Sequence, residues 1–298
     1  MTPMRSSFPD TACVPLPSNV AAYCMEVDAH QWLQTADALP DDGANLLALW
    51  GSDDRDRDQC LRIRAAYLLP DRVVVLEHTM PAEQAIYPSL ASRCPVADRL
   101  QRAVHDLLGI QAEGGDTRGW LRHGGWPQGV FPLRREVSAA QPYPIVSAPY
   151  PFVVVAGEGV HEVAVGPVHA GTIEPGRFHV SVVGEKVLRL EERLGYTHKG
   201  VAKRFEALAQ RDGHRLAARL CGDSTVAFSW AYCAALESVT DTTPSLRAAA
   251  LRALALERER IANHLGDLGG IGNDAGFARQ DVLHPGQELL RCGARGVE

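Results

Sequence analysis

The sequence predicts an α+β fold: a small N-terminal α/β domain with an antiparallel sheet, then a β-hairpin that leads into a mostly helical bundle. Apolar and polar residues alternate with a period of two over 61–67 and 178–183, which is typical of strands. Apolar residues recur with a helical period over 96–108, and two alanine-rich helical segments follow residue 224. The length of 298 residues suits about two domains.

The composition is that of a globular protein, and it excludes several classes. With 46% hydrophobic and 22% charged residues, the chain is not a long disordered, collagen-like or coiled-coil protein. Its formal charge of -6 lacks the basic excess of nucleic-acid binders, so no nucleic-acid partner is expected. No apolar run approaches the roughly 18 to 20 residues that span a bilayer. The seven cysteines are scattered without a CxxC pair, which disfavours a disulfide framework and a structural zinc site.

The first half of the chain contains a lead-in segment and one domain. Residues 1–40 are weakly patterned and no element is predicted there, whereas residues 41–137 carry clear signals. The predicted features, in chain order, are an apolar run at 46–50, a solvated charged loop at 52–58, an antiparallel hairpin of strands 61–67 and 73–76, a helix at 96–108 stopped by Gly109, and a long loop at 114–132.

The second half begins after a proline-rich linker. Residues 138–151 hold four prolines and are predicted to connect the first domain to a second one at 152–298. The predicted strands are 152–156, 163–165, 178–183 and 187–190, the last two joined by a hairpin turn at Gly184-Glu185. The predicted helices are 201–208, 225–239 and one from Thr243 to about Leu268, with Thr243 as the cap, Pro244 at the first position and Gly269-Gly270 at the end.

The first domain carries a specific family resemblance. Its residues run from Asp98 to Ile110, followed by Glu113-Gly114, Trp126-Pro127 and Pro132-Leu133-Arg134-Arg135. They resemble the signature ERxxxDLxGIxFxGHP…LPxDWxxxPLRK of the 30-kilodalton (type C) subunit of complex I. Group 4 nickel–iron hydrogenases carry the same domain at the front of their large subunit. The resemblance implies that the N-terminal domain has the fold of this 30-kilodalton subunit.

The second domain resembles another part of the same proteins. The matching segments are Gly166-Pro167-Val168-His169, Glu174 to Phe178, Leu194 to Gly200, Arg219 to Gly222 with Ala231-Tyr232, Glu257 to Leu265, and Asn273 to Phe277. In this order they resemble the large subunit of formate hydrogenlyase, with its motifs GPxHxxxxEPGHF, LxYVHRG and RxCG…AY. The resemblance implies a hydrogenase/complex I large-subunit-like domain. Because the family's large subunits continue well past residue 298, the chain is expected to be a front portion of that domain.

The resemblance also indicates which cofactor chemistry is absent. The family holds nickel and iron with four cysteine thiolates in two CxxC pairs, because soft thiolates suit these metals. The first pair aligns with Cys221 and Ser224, and the second would lie beyond residue 298. A family histidine aligns with Phe228 and a proton-relaying glutamate with Ala202. A nickel–iron site is therefore not supported, no metal ligand is assigned, and hydrogen activation by this chain alone is not expected.

Complex I uses the same frame without metal to bind quinone. The residues that bond its head group there align with Ile173 and Gly222, which cannot do so through side chains. A quinone site that has departed from this pattern, or that is built from other residues, stays an open alternative.

The resemblance places five candidates beside a cavity that faces an iron–sulfur cluster in a neighbouring subunit: His169, His198, Arg219, Cys221 and Asp223. His169 either orients the hairpin loop or is a buried histidine bonded to backbone. His198, with Lys199, opens a helix either at the cavity or at the surface. Arg219 points towards the cluster in the family and can raise its potential by its charge; here that role is one alternative. Cys221 is expected to be inert and buried, and Asp223 either binds a cation or begins the second helix.

A second group lies on the third predicted helix. Glu257, Arg260 and His264 are spaced at i, i+3 and i+7, which puts them on one face. They form either a buried proton path or a structural ion-pair network.

The resemblance implies a component of a membrane-associated respiratory oxidoreductase complex, similar to group 4 hydrogenase or NADH-quinone oxidoreductase, in which electron transfer is coupled to ion translocation. It implies a peripheral position on the cytoplasmic side of the cell membrane. The implied partners are an iron–sulfur small subunit with a four-iron cluster, a ferredoxin-like subunit and antiporter-like membrane subunits. Quinone or NAD would be used at the level of the complex. The alternative is a non-catalytic structural or assembly subunit, or a truncated relic. A nicotinamide-binding enzyme is disfavoured because no GxGxxG follows a strand.

Overall fold

The computed structural model describes residues 13–18, 20–38, 43–144, 150–168, 175–196 and 198–276. The chain divides into two compact units. The first unit comprises residues 1–163 and 179–196, and the second comprises residues 164–178 and 197–298. The mixed α+β fold predicted from the sequence is confirmed, with a sheet-rich first part and helices towards the C-terminus. The predicted domain boundaries stay predictions.

A five-stranded sheet forms the framework of the first unit. Its strands are β1 (Cys13–Pro15), β2 (Ala22–Glu26), β3 (Asn45–Asp53), β4 (Cys60–Leu68) and β5 (Val73–Pro81), in the order β1-β2-β5-β4-β3. Strand β4 pairs antiparallel with both β3 and β5, which confirms the predicted hairpin. The alternation along β4 puts Leu61, Ile63 and Ala65 on one face, and each is fully buried.

The segment that the sequence analysis treated as a weakly patterned lead-in contains part of this domain. Strand β2 pairs in parallel with β5, and helix α1 (Ala29–Ala38) follows it. Trp32 of α1 is completely buried, and its indole N–H donates to the Pro88 carbonyl at 3.1 Å. A parallel pairing between strands about fifty residues apart leaves no local pattern, so the sequence analysis missed these elements.

Helix α2 (Ala97–Leu108) covers the sheet, close to the predicted bounds. It ends at Gly109, which has a left-handed φ of 67° and donates its N–H to the His105 carbonyl at 2.8 Å. Beside it, the short strands β6 (Ile86–Pro88) and β7 (Gln111–Glu113) pair in parallel.

The predicted long loop after β7 is held by buried charges of the signature segment. The Asp106 carboxylate accepts the backbone N–H groups of Trp120 and Leu121 at 2.6 and 2.7 Å. The Arg134 guanidinium donates to the Leu108 carbonyl at 2.5 Å. Backbone groups that have no partner in a helix or strand are thus satisfied by side chains.

The charged loop at 52–58 was predicted to be exposed to solvent. Its first part is buried or half-buried, which corrects the prediction there. The Asp53 side chain is 1% exposed and receives hydrogen bonds from the Arg55 guanidinium at 2.6 and 2.8 Å and from the Arg135 backbone N–H at 3.0 Å. Burial opposes ionisation, but these hydrogen bonds outweigh it and lower the pKa of Asp53 to about 2. The loop between β3 and β4 is therefore fixed to the end of the signature segment.

A second, three-stranded sheet has the order β10-β9-β8. Its strands are β8 (Val160–Val168), β9 (Gly176–Val183) and β10 (Lys186–Arg193), with the predicted turn at Gly184-Glu185 between the last two. The predicted strand at 152–156 is wrong, because the described backbone there is irregular. One reason is that the Val153 N–H donates to the Glu191 carboxylate at 2.8 Å instead of to a neighbouring strand.

The second unit contains four helices among its described residues: α3 (Val201–Phe205), α4 (Gly213–Ala217), α5 (Thr225–Val239) and α6 (Leu246–Asp274). Helix α5 has the predicted bounds, whereas α3 ends three residues earlier than predicted. In the part of the chain that the structure describes, no helix is long and apolar enough to cross a membrane.

Both predicted ends of α6 are wrong. The helix is capped by Ser245, whose hydroxyl accepts the Ala248 N–H at 3.2 Å, rather than by Thr243. The helix also continues through Gly269-Gly270 to Asp274. A glycine inside a helix costs only about 1 kcal/mol relative to alanine, which a helix of 29 residues tolerates.

Candidate functional site

The candidate site is the segment of residues 219–227, which connects α4 to the first turn of α5. It contains three of the predicted residues, Arg219, Cys221 and Asp223, and a single 3-10 turn over Gly222–Ser224. Lys199 binds its start, because the ammonium group donates to the Arg219 carbonyl at 3.3 Å and the Leu220 carbonyl at 3.1 Å. These three candidates are neighbours in the chain, and the structure adds the contact by which Lys199 fixes the backbone at their start.

Glu259 of α6 holds the other end of this segment. Its carboxylate accepts the backbone N–H of Val226 at 2.6 Å and that of Ala227 at 3.1 Å. These are two of the N–H groups that a helix leaves unpaired in its first turn. The cap position of α5, Ser224, has no side-chain capping bond, so Glu259 supplies the acceptor from another helix. A carboxylate at this end also interacts favourably with the helix dipole.

Asn263 lies one helical turn after Glu259 and strengthens the same contact. Its side-chain amide donates a hydrogen bond to the Asp223 carbonyl. The spacing of four residues puts both side chains on the same face of α6, beside the buried Ala262.

The sequence analysis missed Glu259 and Asn263, because contacts 32 to 40 residues apart have no local signature. One signal was available. Glu259 lies on a helical stripe with the small residues Ala262 and Gly269, and all three positions are buried in the structure. A charged side chain on a stripe of small residues indicates a close helix contact in which the charge is bonded.

Tyr232 fixes α5 to the preceding helices. Its hydroxyl donates to the Gln210 carbonyl at 2.8 Å, and its ring stacks on Phe205 with centroids 5.5 Å apart. Gly213 allows this approach, since a Cβ atom there would lie 2.2 Å from the Tyr232 ring. The tyrosine of the RxCG…AY motif is therefore a packing residue in this chain.

The donor set of the segment does not fit a nickel–iron centre. Cys221 is half-buried and offers one thiol, whereas position 224 offers a serine hydroxyl, a hard and weakly acidic ligand. The Ser224 N–H donates to the Cys221 carbonyl at 3.4 Å, so the two residues belong to one turn. Within the described ranges, no group of three or more His, Cys, Asp or Glu side chains is arranged to hold a metal ion.

The remaining candidates have different environments. Arg219 and Asp223 are exposed and His198 is half-buried, while His169 lies outside the described residues. Asp223 contributes its backbone carbonyl to the site, and the N-terminal cap residue of α5 is Ser224. Cys221 is less buried than predicted.

The group on α6 lies on the exposed side of that helix. Glu257 and Arg260 are both 56% exposed and form an ion pair of 3.5 Å, and His264 is also exposed. This arrangement resembles the predicted ion-pair network on a helix face more than a buried path. An exposed pair of this kind contributes little to stability.

The chain thus has an N-terminal sheet domain, a three-stranded sheet and a helical part that contains the anchored cysteine segment. Residues 25–143 match the family model for the respiratory-chain NADH dehydrogenase 30 Kd subunit. Together with the relatives below, this match shows that the chain is related to the large subunits of group 4 hydrogenases and to complex I, as the sequence motifs predicted.

Three curated relatives illustrate this. Hydrogenase-4 component G of Escherichia coli K12 is 31% identical over 68% of this chain and 38% of its own length. Formate hydrogenlyase subunit 5 of the same organism is 33% identical over 66% of this chain and 36% of its own length. The fused C/D subunit of NADH-quinone oxidoreductase from Bacteroides thetaiotaomicron is 25% identical over 72% of this chain and 46% of its own length. The chain thus spans less than half of the length of these relatives.

Two solved structures overlap with parts of the chain. The match to a trypsin-resistant fragment of Nqo5 covers 35% of this chain and 88% of the fragment, at 17% identity and a TM-score of 0.31. The match to a chain of the membrane-bound sulfane sulfur reductase, an archaeal respiratory membrane complex, covers 44% of this chain and 80% of that chain, at 14% identity and a TM-score of 0.39. Scores this low do not establish a shared overall fold.

Proposed function

We propose that this chain is a large-subunit-type component of a membrane-associated respiratory oxidoreductase complex that couples electron transfer to ion translocation. The observation that carries the proposal is the segment 219–227, which is anchored by Lys199, Glu259 and Asn263 although it offers only one thiol. A framework that is bonded this thoroughly without a metal-binding donor set suits a cavity wall better than a catalytic centre.

In this role the chain itself binds no nickel. The four-iron cluster is carried by an iron–sulfur small subunit, and the exposed Arg219 guanidinium lies next to it. A fixed positive charge beside a cluster stabilises its reduced form and raises its potential. Quinone or NAD reacts elsewhere in the complex.

The further partners are a ferredoxin-like subunit and antiporter-like membrane subunits. The chain is peripheral and lies on the cytoplasmic side of the membrane. This part of the proposal is supported by the relatives, which include formate hydrogenlyase subunit 5 and the alpha subunit of a membrane-bound hydrogenase from Pyrococcus furiosus.

The test is to purify the affinity-tagged chain from detergent-solubilised membranes with its partners and to measure metals and cluster potential. We expect iron without nickel. We also expect Arg219→Gln to lower the potential of the nearby cluster, whereas Arg215→Gln, an exposed arginine on α4, leaves it unchanged. Stoichiometric nickel, or equal potentials in both variants, contradicts the proposal.

The second candidate is a non-catalytic structural or assembly subunit. The single thiol of the candidate site favours it, because nothing in that segment requires redox chemistry. The two candidates differ in the behaviour of Arg219→Gln in cells. An electron-transfer role predicts an assembled complex with reduced turnover, whereas an assembly role predicts normal turnover as long as the complex forms.

A further inference from the structure

A cavity of about 280 Å³ lies in the first unit, whereas the candidate site belongs to the second. It is bounded by the end of α1, the start of β3, strand β4 and the segment that leads into α2. Its apolar wall is formed by Ala36, Leu46, Leu90 and Val96 among others. Its volume is close to the lower limit of the roughly 300 to 1,000 Å³ typical of small-molecule sites, so a compact ligand is implied.

Tyr67 of β4 is the most buried polar side chain of this cavity. The residue is 3% exposed, and its hydroxyl forms no hydrogen bond in the part of the chain that the structure describes. Burial, followed by the nearby Cys94 thiol, raises the pKa of Tyr67, so the hydroxyl keeps its proton at neutral pH. Because the hydroxyl has no acceptor in the described part of the chain, its O–H remains available to a ligand oxygen in the cavity.

The other polar side chains of the cavity are Arg93, Cys94 and the exposed Asn45, whose amide both donates and accepts. Cys94 contributes a thiol, and Arg93 contributes a guanidinium at the rim that is ion-paired with Asp37. Donor-rich polar groups on an apolar wall match a molecule that is mostly apolar and carries an acceptor oxygen. The paired state of Arg93 disfavours an anionic ligand, because part of its charge is already compensated.

The wall that carries Cys94 is held by the backbone. The Cys94 N–H donates to the Leu90 carbonyl at 2.8 Å, and the Ala97 N–H donates to the Cys94 carbonyl at 2.8 Å. The Leu90 N–H in turn donates to the Gln101 side chain at 2.8 Å. The cavity is therefore preformed, and binding does not require this segment to be ordered first.

From these contacts we infer that the cavity binds a small, mostly apolar carbonyl compound whose oxygen accepts a hydrogen bond from the Tyr67 hydroxyl. This site is independent of the proposed function, because it uses residues of the first unit alone. Nothing covalent is formed, and Cys94 serves as a neighbouring contact.

The test uses the full chain with two matched probes, acetophenone and ethylbenzene, which differ in the carbonyl group. Binding is measured by ligand-observed NMR and by the rate at which iodoacetamide alkylates Cys94, followed by peptide mass spectrometry. We expect acetophenone to slow alkylation of Cys94 and to bind roughly tenfold more tightly than ethylbenzene, as one neutral hydrogen bond permits.

Two tyrosine variants locate the hydrogen bond. Tyr67→Phe is expected to reduce acetophenone binding to the ethylbenzene level. Tyr87→Phe removes a buried hydroxyl that has no hydrogen-bond partner among the described residues, and Tyr87 does not line the cavity, so binding is expected to be unchanged. The inference is overturned by equal binding of the two probes, by full binding to Tyr67→Phe, or by no protection of Cys94 at about 10 mM acetophenone, a concentration well above the millimolar Kd of a weak site.

Discussion

The Glu259 carboxylate of α6 accepts the backbone N–H of Val226 in the first turn of α5 at a distance of 2.6 Å. This bond connects two helices across 33 residues of sequence, and it fixes the segment that carries Cys221. The beginning of α5 is thus determined by a side chain that does not belong to it.

Removal of this carboxylate is expected to destabilise the chain. Glu259→Ala leaves two helix N–H groups without an acceptor in a partly buried place, which costs about 1–3 kcal/mol of the free energy of unfolding. The matched control is Glu257→Ala, at an exposed position two residues away, for which the loss is below about 0.5 kcal/mol. Urea denaturation of both variants measures the difference, and equal losses contradict the assigned role.

Gly213 is expected to tolerate no side chain. In Gly213→Ala the new methyl group meets the Tyr232 ring at 2.2 Å, and overpacking of this kind costs about 1–3 kcal/mol. Gly222→Ala is the control, since no heavy atom lies within 4 Å of a Cβ at that position. Thermal unfolding followed by circular dichroism distinguishes them. A Gly213→Ala variant as stable as the control would falsify the predicted clash.

Asp53 is expected to make stability depend on pH in the acid range. Its pKa is lowered from the ordinary value of 3.8 to about 2 in the folded chain. A lowered folded-state pKa contributes stability that is fully present above pH 3.8 and is lost as the pH falls through about 2. The contribution is on the order of 2 kcal/mol.

The measurement is the free energy of unfolding of the parent chain and of Asp53→Asn, from neutral pH down to about pH 2, the folded-state pKa of this group. We expect the variant to be less stable at neutral pH, because a neutral amide attracts Arg55 less strongly than a carboxylate does. The two curves should converge at the acid end, where Asp53 becomes protonated. A constant difference over the whole range contradicts the linkage.

Trp32 is expected to be essential for the N-terminal domain. It is completely buried, so Trp32→Ala costs about 3–5 kcal/mol. Trp50→Ala, at a position that is 39% exposed, is the control and costs much less. Near-ultraviolet circular dichroism and denaturant titration test both. If Trp32→Ala matched the control, helix α1 would not belong to the folded core.

The local elements could be predicted because their signals are contained in short segments. The alternation over β4 predicted a strand of an antiparallel hairpin, and Gly109 predicted the end of α2, since a left-handed residue closes that helix. The motif segments predicted the family in the same way, because several short patterns occur in one order. The predicted bounds of α6 were wrong. Thr243-Pro244 is a helix-start signal and Gly269-Gly270 is a helix-stop signal, but both are of average strength and a long helix overrides them.

The sequence by itself determined the α+β class, helix α5, the second hairpin turn and the relation to hydrogenase and complex I large subunits. It also placed Arg219, Cys221 and Asp223 in one segment, because they are neighbours in the chain. Only the tertiary structure decided that β2 pairs in parallel with β5, that Glu259 binds the start of α5, and that Tyr67 lines a cavity. The physical reason is that these contacts join residues far apart in sequence, and their energies depend on burial and distance rather than on local pattern.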